Sequence, residues 1–168
     1  GTLRPVHTRV TLRDGRVLAI IRSMTNSSYA LIGRQVEFSD MGRHWAQAEV
    51  YDLASRLVIN GVGQGRFAPD QPVTRAEFAA ILVRALGLPE EEDAVGNSDV
   101  NPDDWFAGAV AAARQYGIVS GYADGTFRPN QSITRQEAMV MVARALKLAG
   151  LETDLPDETA EAALGSFA

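Results

Sequence analysis

The chain contains no cysteine, a single lysine (Lys147) and only two histidines, His7 and His44. Without thiols there is no disulfide framework, no thiolate metal site and no cysteine nucleophile. An exported bacterial protein is compatible with that lack but is not shown by it. The histidines stand far apart, and no Gly-x-Ser-x-Gly elbow, phosphate-binding loop or zinc signature accompanies them. The adjacent Asp103 and Asp104 read as caps rather than a glycosidase dyad, so neither catalysis, nor a cofactor, nor a bound metal is expected. No apolar run reaches the length of a membrane span, so no membrane insertion is expected either. No signal peptide is recognisable, and the opening Gly1-Thr2 reads as a cloning boundary.

What is present is ordinary globular composition: 168 residues, 46% hydrophobic and 22% charged, enough for a real core in one domain or two small ones. The net charge of −5 argues against a nucleic-acid partner, because phosphate binding rests on clustered Lys and Arg. The charge is uneven. Residues 1–35 carry six Arg and one Asp, whereas the remainder carries ten cations against twenty acids.

Residues 1–37 read as a small antiparallel β-sheet. Val6–Leu12 alternates with period two, Asp14-Gly15 supplies a hairpin turn, and Arg16–Ile21 is the return strand. A second turn at Thr25–Ser28 leads to a third expected strand, Tyr29–Ile32.

From Phe38 an internal repeat takes over. Trp45 and Trp105, Val50 and Val110, Gly61 and Gly121, Gly65 and Gly125, Phe67 and Phe127, and Pro69 and Pro129 all stand sixty positions apart, and so do Arg84-Ala85-Leu86 and Arg144-Ala145-Leu146. Asp40 and Asp99 match one residue off that register. Each repeat reads as helix, loop, helix. Val50, Leu53, Ala54, Leu57 and Val58 form one apolar stripe, with Gly61 expected to stop that helix. Phe78, Ile81, Leu82, Ala85 and Leu86 form the second stripe, mirrored by Ala138, Met141, Val142, Ala145 and Leu146. The first helix of the second repeat looks weaker, because Gly117 replaces Leu57.

The sharpest recurrence is Thr74-Arg75-Ala76-Glu77 as Thr134-Arg135-Gln136-Glu137. Thr and Glu stand at capping-box spacing, so Thr74, Glu77, Thr134 and Glu137 are helix-capping residues. Arg75 and Arg135 fall at the first helical position, where a cation is mildly unfavourable. Two such arginines in register point to an anion site, because a guanidinium and free helix amides attract the same negative charge. The structural alternative is an ion pair with one of the many acids. The backbone around Gly61–Gly65 and Gly121–Gly125 can approach a ligand's polar groups closely, because glycine has no side chain. Trp45 and Trp105 either cover a ring face or are buried at a helix–helix contact. Asp40 and Asp99 read first as N-terminal caps of the first helices.

Taken together, Phe38-Ser39-Asp40, the Trp at the first helix, the Gly-rich loop, Phe-x-Pro and Thr-Arg-Ala-Glu resemble the S-layer homology domain. The resemblance covers two copies, at 38–88 and 98–148, joined by an acidic linker at 89–97. A tail at 149–168 reads as a helix and the start of a truncated third repeat, since Ser166-Phe167-Ala168 resembles the opening of the first. The implied fold is α+β, mainly α: tandem helix-loop-helix repeats forming a partial pseudo-threefold bundle behind the N-terminal sheet. The implied function is a non-catalytic module at the bacterial cell surface. It anchors a larger protein to the cell wall by binding an acidic, pyruvylated secondary cell wall polysaccharide. The resemblance implies that Arg75 and Arg135 meet the ketal carboxylate, while Asp40, Asp99, Trp45 and Trp105 shape or line the grooves. Gly61, Gly121 and Gly125 complete the expected glycan-binding set. A bundle lacking its third repeat exposes an apolar flank and invites self-association. The rival reading is a structural or self-assembly segment with no glycan site. A calcium loop at Tyr122–Gly125 is set aside because alternate acidic ligands and a closing Glu are missing.

Overall fold

A computed structural model describes residues 5–22, 28–90 and 97–151. Most of the acidic linker and the expected tail helix lie outside the described residues. As expected, the fold is α+β and mainly helical. Strands β1 (His7–Arg13) and β2 (Arg16–Arg22) pair antiparallel with Arg13 opposite Arg16 and Thr8 opposite Ile21. Asp14 and Gly15 both take positive φ, the geometry of a primed two-residue turn whose twist suits the strands it joins. The expected third strand is not formed. Residues 28–38 run as irregular chain, and Leu31 is 90% exposed. A continuous apolar run makes no strand without a sheet edge to take its hydrogen bonds.

The helices fall in the register of the repeat. They are α1 (Gln47–Ser55), α2 (Arg75–Leu86), α3 (Ala107–Gln115) and α4 (Arg135–Leu148). Both expected capping boxes form: Thr74 accepts from the Glu77 amide and Thr134 from the Glu137 amide, while each Glu carboxylate reaches back. The first helices end sooner than expected. Gly61 stops nothing; the turn comes at Leu57 (φ 63°) and at its equivalent Gly117 (φ 71°). Gly117 is therefore a helix terminator and not a weakness. Leu57 takes the same left-handed conformation at a cost of about 1–2 kcal/mol that glycine avoids. Gly61 and Gly121 serve close packing instead. A Cβ on Gly61 would collide with the Arg66 carbonyl oxygen and the Phe38 ring, and one on Gly121 would lie 2.5 Å from Asn97 Nδ2.

Two apolar clusters hold these elements. Phe38, Met41, Val50, Ala54, Val58 and Ile59 form one within the first repeat, with Ile81 of α2 against it. The larger cluster joins the repeats, setting Ala76, Ala79, Ala80 and Val83 of α2 against Ala109, Ala112 and Ala113 of α3, around Phe127 and Ile118. Helix α2 packs on both α3 and α4. It therefore buries a face beyond the stripe legible in its sequence, and small alanines let the backbones approach. The equivalent face of α4, with Gln136, Met139, Val140 and Ala143, is exposed, Met139 at 69%. The expected uncovered flank thus lies on α4. Ala79 is fully buried against α3, so Ala79→Leu overpacks the contact between repeats and is expected to lower stability by about 1–3 kcal/mol. Denaturant unfolding measures it.

Candidate functional site

In each repeat an aspartate ties the loop between helices to the start of the repeat. Asp40 accepts from the Phe67 amide (2.9 Å) and the Ala68 amide (2.8 Å), and Asp99 from those of Phe127 and Arg128, both at 2.7 Å. The Phe67 amide, more than any other neighbour, holds the Asp40 carboxyl below its ordinary range. Ala68 and Arg128 both adopt left-handed φ values, near 60°, just before a proline. The aspartates are thus loop clamps. They do not cap the first helices, whose N-caps are Ala46 and Phe106, neither of which makes a side-chain capping hydrogen bond. Gly125 belongs to the same arrangement, its carbonyl accepting from the Ser98 amide (3.2 Å) and Asn97 Nδ2 (3.2 Å).

The two motif arginines have different fates. Arg75 leaves its own repeat, is only 4% exposed, and inserts into the second repeat. Its Nε donates to the Phe127 carbonyl at 3.0 Å and its Nη1 to Glu137 Oε1 at 2.7 Å. Its Cζ lies 4.9 Å from the Tyr122 ring centre and 5.0 Å from that of Phe127. Tyr122 also donates to Glu137 Oε1, at 2.7 Å. The backbone hydrogen bond from Thr134, joined by those from Tyr122 and by the Arg75 charge, pulls the Glu137 carboxyl down to about 2. The same Glu137 contact raises the Tyr122 hydroxyl above its usual value. The amides expected to be free at the start of α2 are occupied too. Arg75 N donates to the Gln131 carbonyl (2.9 Å) and Ala76 N to that of Pro129 (3.0 Å). At Arg75 the structure therefore shows the internal ion pair and not an open anion site. Arg135 is exposed and has no acidic partner among the described residues.

Two furrows among the described residues are in register. The first, about 460 Å³, runs between the Gly61-Val62 turn and α2, lined by Pro69, Glu77, Ile81, Arg84 and, from the second repeat, Trp105. The second, about 300 Å³, runs between Ser120–Tyr122 and α4, lined by Glu137, Met141, Arg144 and, from the first repeat, Arg75. Each thus combines a turn and helix of one repeat with a residue of the other. Volumes of this order are usual for clefts that hold small ligands. Of the expected site residues, Gly61 and Trp105 meet in the first furrow and Gly121 and Arg75 in the second. Asp40, Asp99, Gly125, Trp45 and Arg135 line neither. Neither tryptophan is buried at a helix contact: Trp45 is 88% exposed and Trp105 60%. Sequence reasoning missed Tyr122, which has Val62 as its counterpart, and the groove arginines Arg84 and Arg144, whose signal was the repeated Arg-Ala-Leu.

The S-layer homology domain family model matches residues 37–79 and 98–139. The chain is similar to endo-1,4-beta-xylanase A of Thermoanaerobacterium saccharolyticum, 40% identical over 68% of this chain and 10% of that protein. It is similar to the middle cell wall protein of Brevibacillus brevis, 41% identical over 77% of this chain and 13% of that protein. It is similar also to a surface layer protein of Brevibacillus choshinensis, 41% identical over 53% of this chain and 8% of that protein. The chain thus spans about a tenth of the length of these relatives.

Glu137 is the testable centre of this arrangement. Its folded-state pKa lies below the ordinary carboxylate value of 4.5, so it stabilises the fold above that value and loses its contribution as pH falls from 4.5 towards about 2. The wild-type unfolding midpoint is expected to drop across that window. Glu137→Gln strands the buried Arg75 charge, costs about 3 kcal/mol at neutral pH, and flattens the acid slope in a pH series of thermal melts.

Proposed function

The chain belongs to the S-layer homology domain family, and from that membership we propose that its two repeats hold a larger surface protein to the cell wall by gripping an acidic, pyruvylated wall polysaccharide in the two furrows. The family's place is the bacterial cell surface, and its modules anchor without catalysis. The likeness to a xylanase covers only 10% of that enzyme and brings no reaction with it.

The observation that carries the reading is the recurrence of one furrow at a spacing of sixty residues. A polymer with a repeating unit is well matched by a repeated cleft, because two weak contacts on one chain add by avidity. In the first furrow Trp105 presents an exposed indole to a sugar ring face, and the turn at Gly61 brings backbone close without a side chain in the way. The arginines facing the furrows supply charge for the ketal carboxylate. Arg75 stands in the wall of the second furrow, and Arg135 lies outside both.

A second reading draws support from the uncovered face of α4, where Met139 and Val140 are exposed. On that reading the chain also associates with copies of itself. Sedimentation over a concentration series is expected to show reversible association that Met139→Ser with Val140→Ser abolishes.

The glycan reading is tested by titrating the full chain with wall polysaccharide carrying pyruvate ketals. Binding is expected to weaken as salt screens the charges, and Trp105→Ala is expected to weaken it several-fold while the helical signal stays unchanged. No measurable binding at low salt would overturn the reading.

A further inference from the structure

We propose that Arg144, with Arg84 at the same place in the first repeat, is the group that recognises the acidic substituent of the sugar, and that Arg75 is not. The assignment rests on the groove reading above and deepens it.

The charge on Arg75 is already committed. Glu137 lies 2.7 Å from its Nη1, the Phe127 carbonyl takes its Nε, and little of its surface reaches solvent. An anion approaching it also meets the Glu137 carboxylate, whose repulsion offsets part of the attraction. Arg144 stands seven residues further along α4, two turns on and about 10 Å along the helix axis, on the same face. It is exposed, and it lines the second furrow. Its Nη1 donates to Ser120 Oγ at 3.0 Å and, at the limit of hydrogen bonding, to the Ile118 carbonyl at 3.5 Å. Those contacts fix the head beside Ser120–Tyr122, while Nε and Nη2 have no partner among the described residues. No carboxylate lies within 4.0 Å of it among the described residues. This is a guanidinium already positioned by the protein, with half its fork open to a carboxylate.

The first repeat reproduces the placement. Arg84 lines the first furrow, and the one ion pair it makes among the described residues is with Glu90, whose Oε1 is 4.0 Å from its Nε. The Arg-Ala-Leu recurrence therefore has a structural meaning: it sets an arginine in the lining of each furrow.

Selectivity for the charged sugar is the decisive measurement, since a merely structural role would not change it. The full chain is titrated with N-acetylmannosamine bearing a pyruvate ketal and with N-acetylmannosamine itself. The wild type is expected to prefer the ketal by about ten-fold or more, the value of one charge-assisted hydrogen bond. Arg84→Gln with Arg144→Gln is expected to remove that preference while affinity for the neutral sugar stays the same. Arg144→Lys, in the Arg84→Gln background, restores part of it, as charge without the fork. Retained preference in the double Gln variant overturns the assignment and leaves the groove reading standing. Failure of the wild type to bind either sugar or the wall polysaccharide overturns the groove reading, and the assignment with it.

Discussion

A buried guanidinium fixes how the two repeats meet. Taking Arg75 out of water is costly, and the cost is offset only because three features converge on it: the Glu137 carboxylate, the Phe127 carbonyl, and the ring faces of Tyr122 and Phe127. All of them belong to the second repeat. The arginine can therefore be satisfied in one relative placement, and a shifted register would leave a bare charge in the interior. Glu137 carries a second duty, since its other oxygen closes the capping box of α4 at Thr134. The contact between repeats and the start of the last helix are consequently one hydrogen-bonded unit. Backbone bonds from Arg75, Ala76 and Ile133 to carbonyls of the opposite repeat lock the same joint.

Repetition in sequence becomes inequality in structure at this joint. Helix α2 has a following repeat and is covered on two sides; α4 has none among the described residues and keeps its matching face open. The identical Thr-Arg-x-Glu motif thus yields one arginine that is a bolt and another, Arg135, that is a solvated side chain. Whether a described repeat follows, not the shared motif, separates the two.

That distinction explains what was legible beforehand. The repeat, the four helices, both capping boxes and the hairpin turn were readable because each depends on neighbours a few residues away. Helix stops were misread where Leu57 adopts a left-handed turn that propensity disfavours and tertiary packing imposes. The aspartates were misread for a similar reason: Asp40 and Asp99 look like caps by composition, yet their acceptors serve amides 27 to 29 residues away. Of the expected site residues, Trp105 and Gly61 line the first furrow and Gly121 and Arg75 the second, though the role of Arg75 depends on a partner 62 positions on that no local pattern reveals. The face of α2 that meets α3 escaped because its alanines carry too little hydrophobic contrast to mark a stripe.

The two furrows also differ electrostatically despite their common framework. In the second, Glu137 is balanced by Arg75, so the charge of Arg144 stands uncancelled. In the first, Glu77 has its capping bonds but no arginine partner among the described residues, and it faces the same cleft as Arg84. The insertion of Arg75 therefore neutralises the carboxylate of one groove and leaves the other with Glu77, unpaired among the described residues, and with Arg84 in its lining. Since potentials from groups lining a cleft add, an anionic ligand is held more strongly in the second furrow than in the first, where Glu77 offsets part of the Arg84 charge. The difference follows from the order of the two described repeats, because Arg75 of the first reaches into the second.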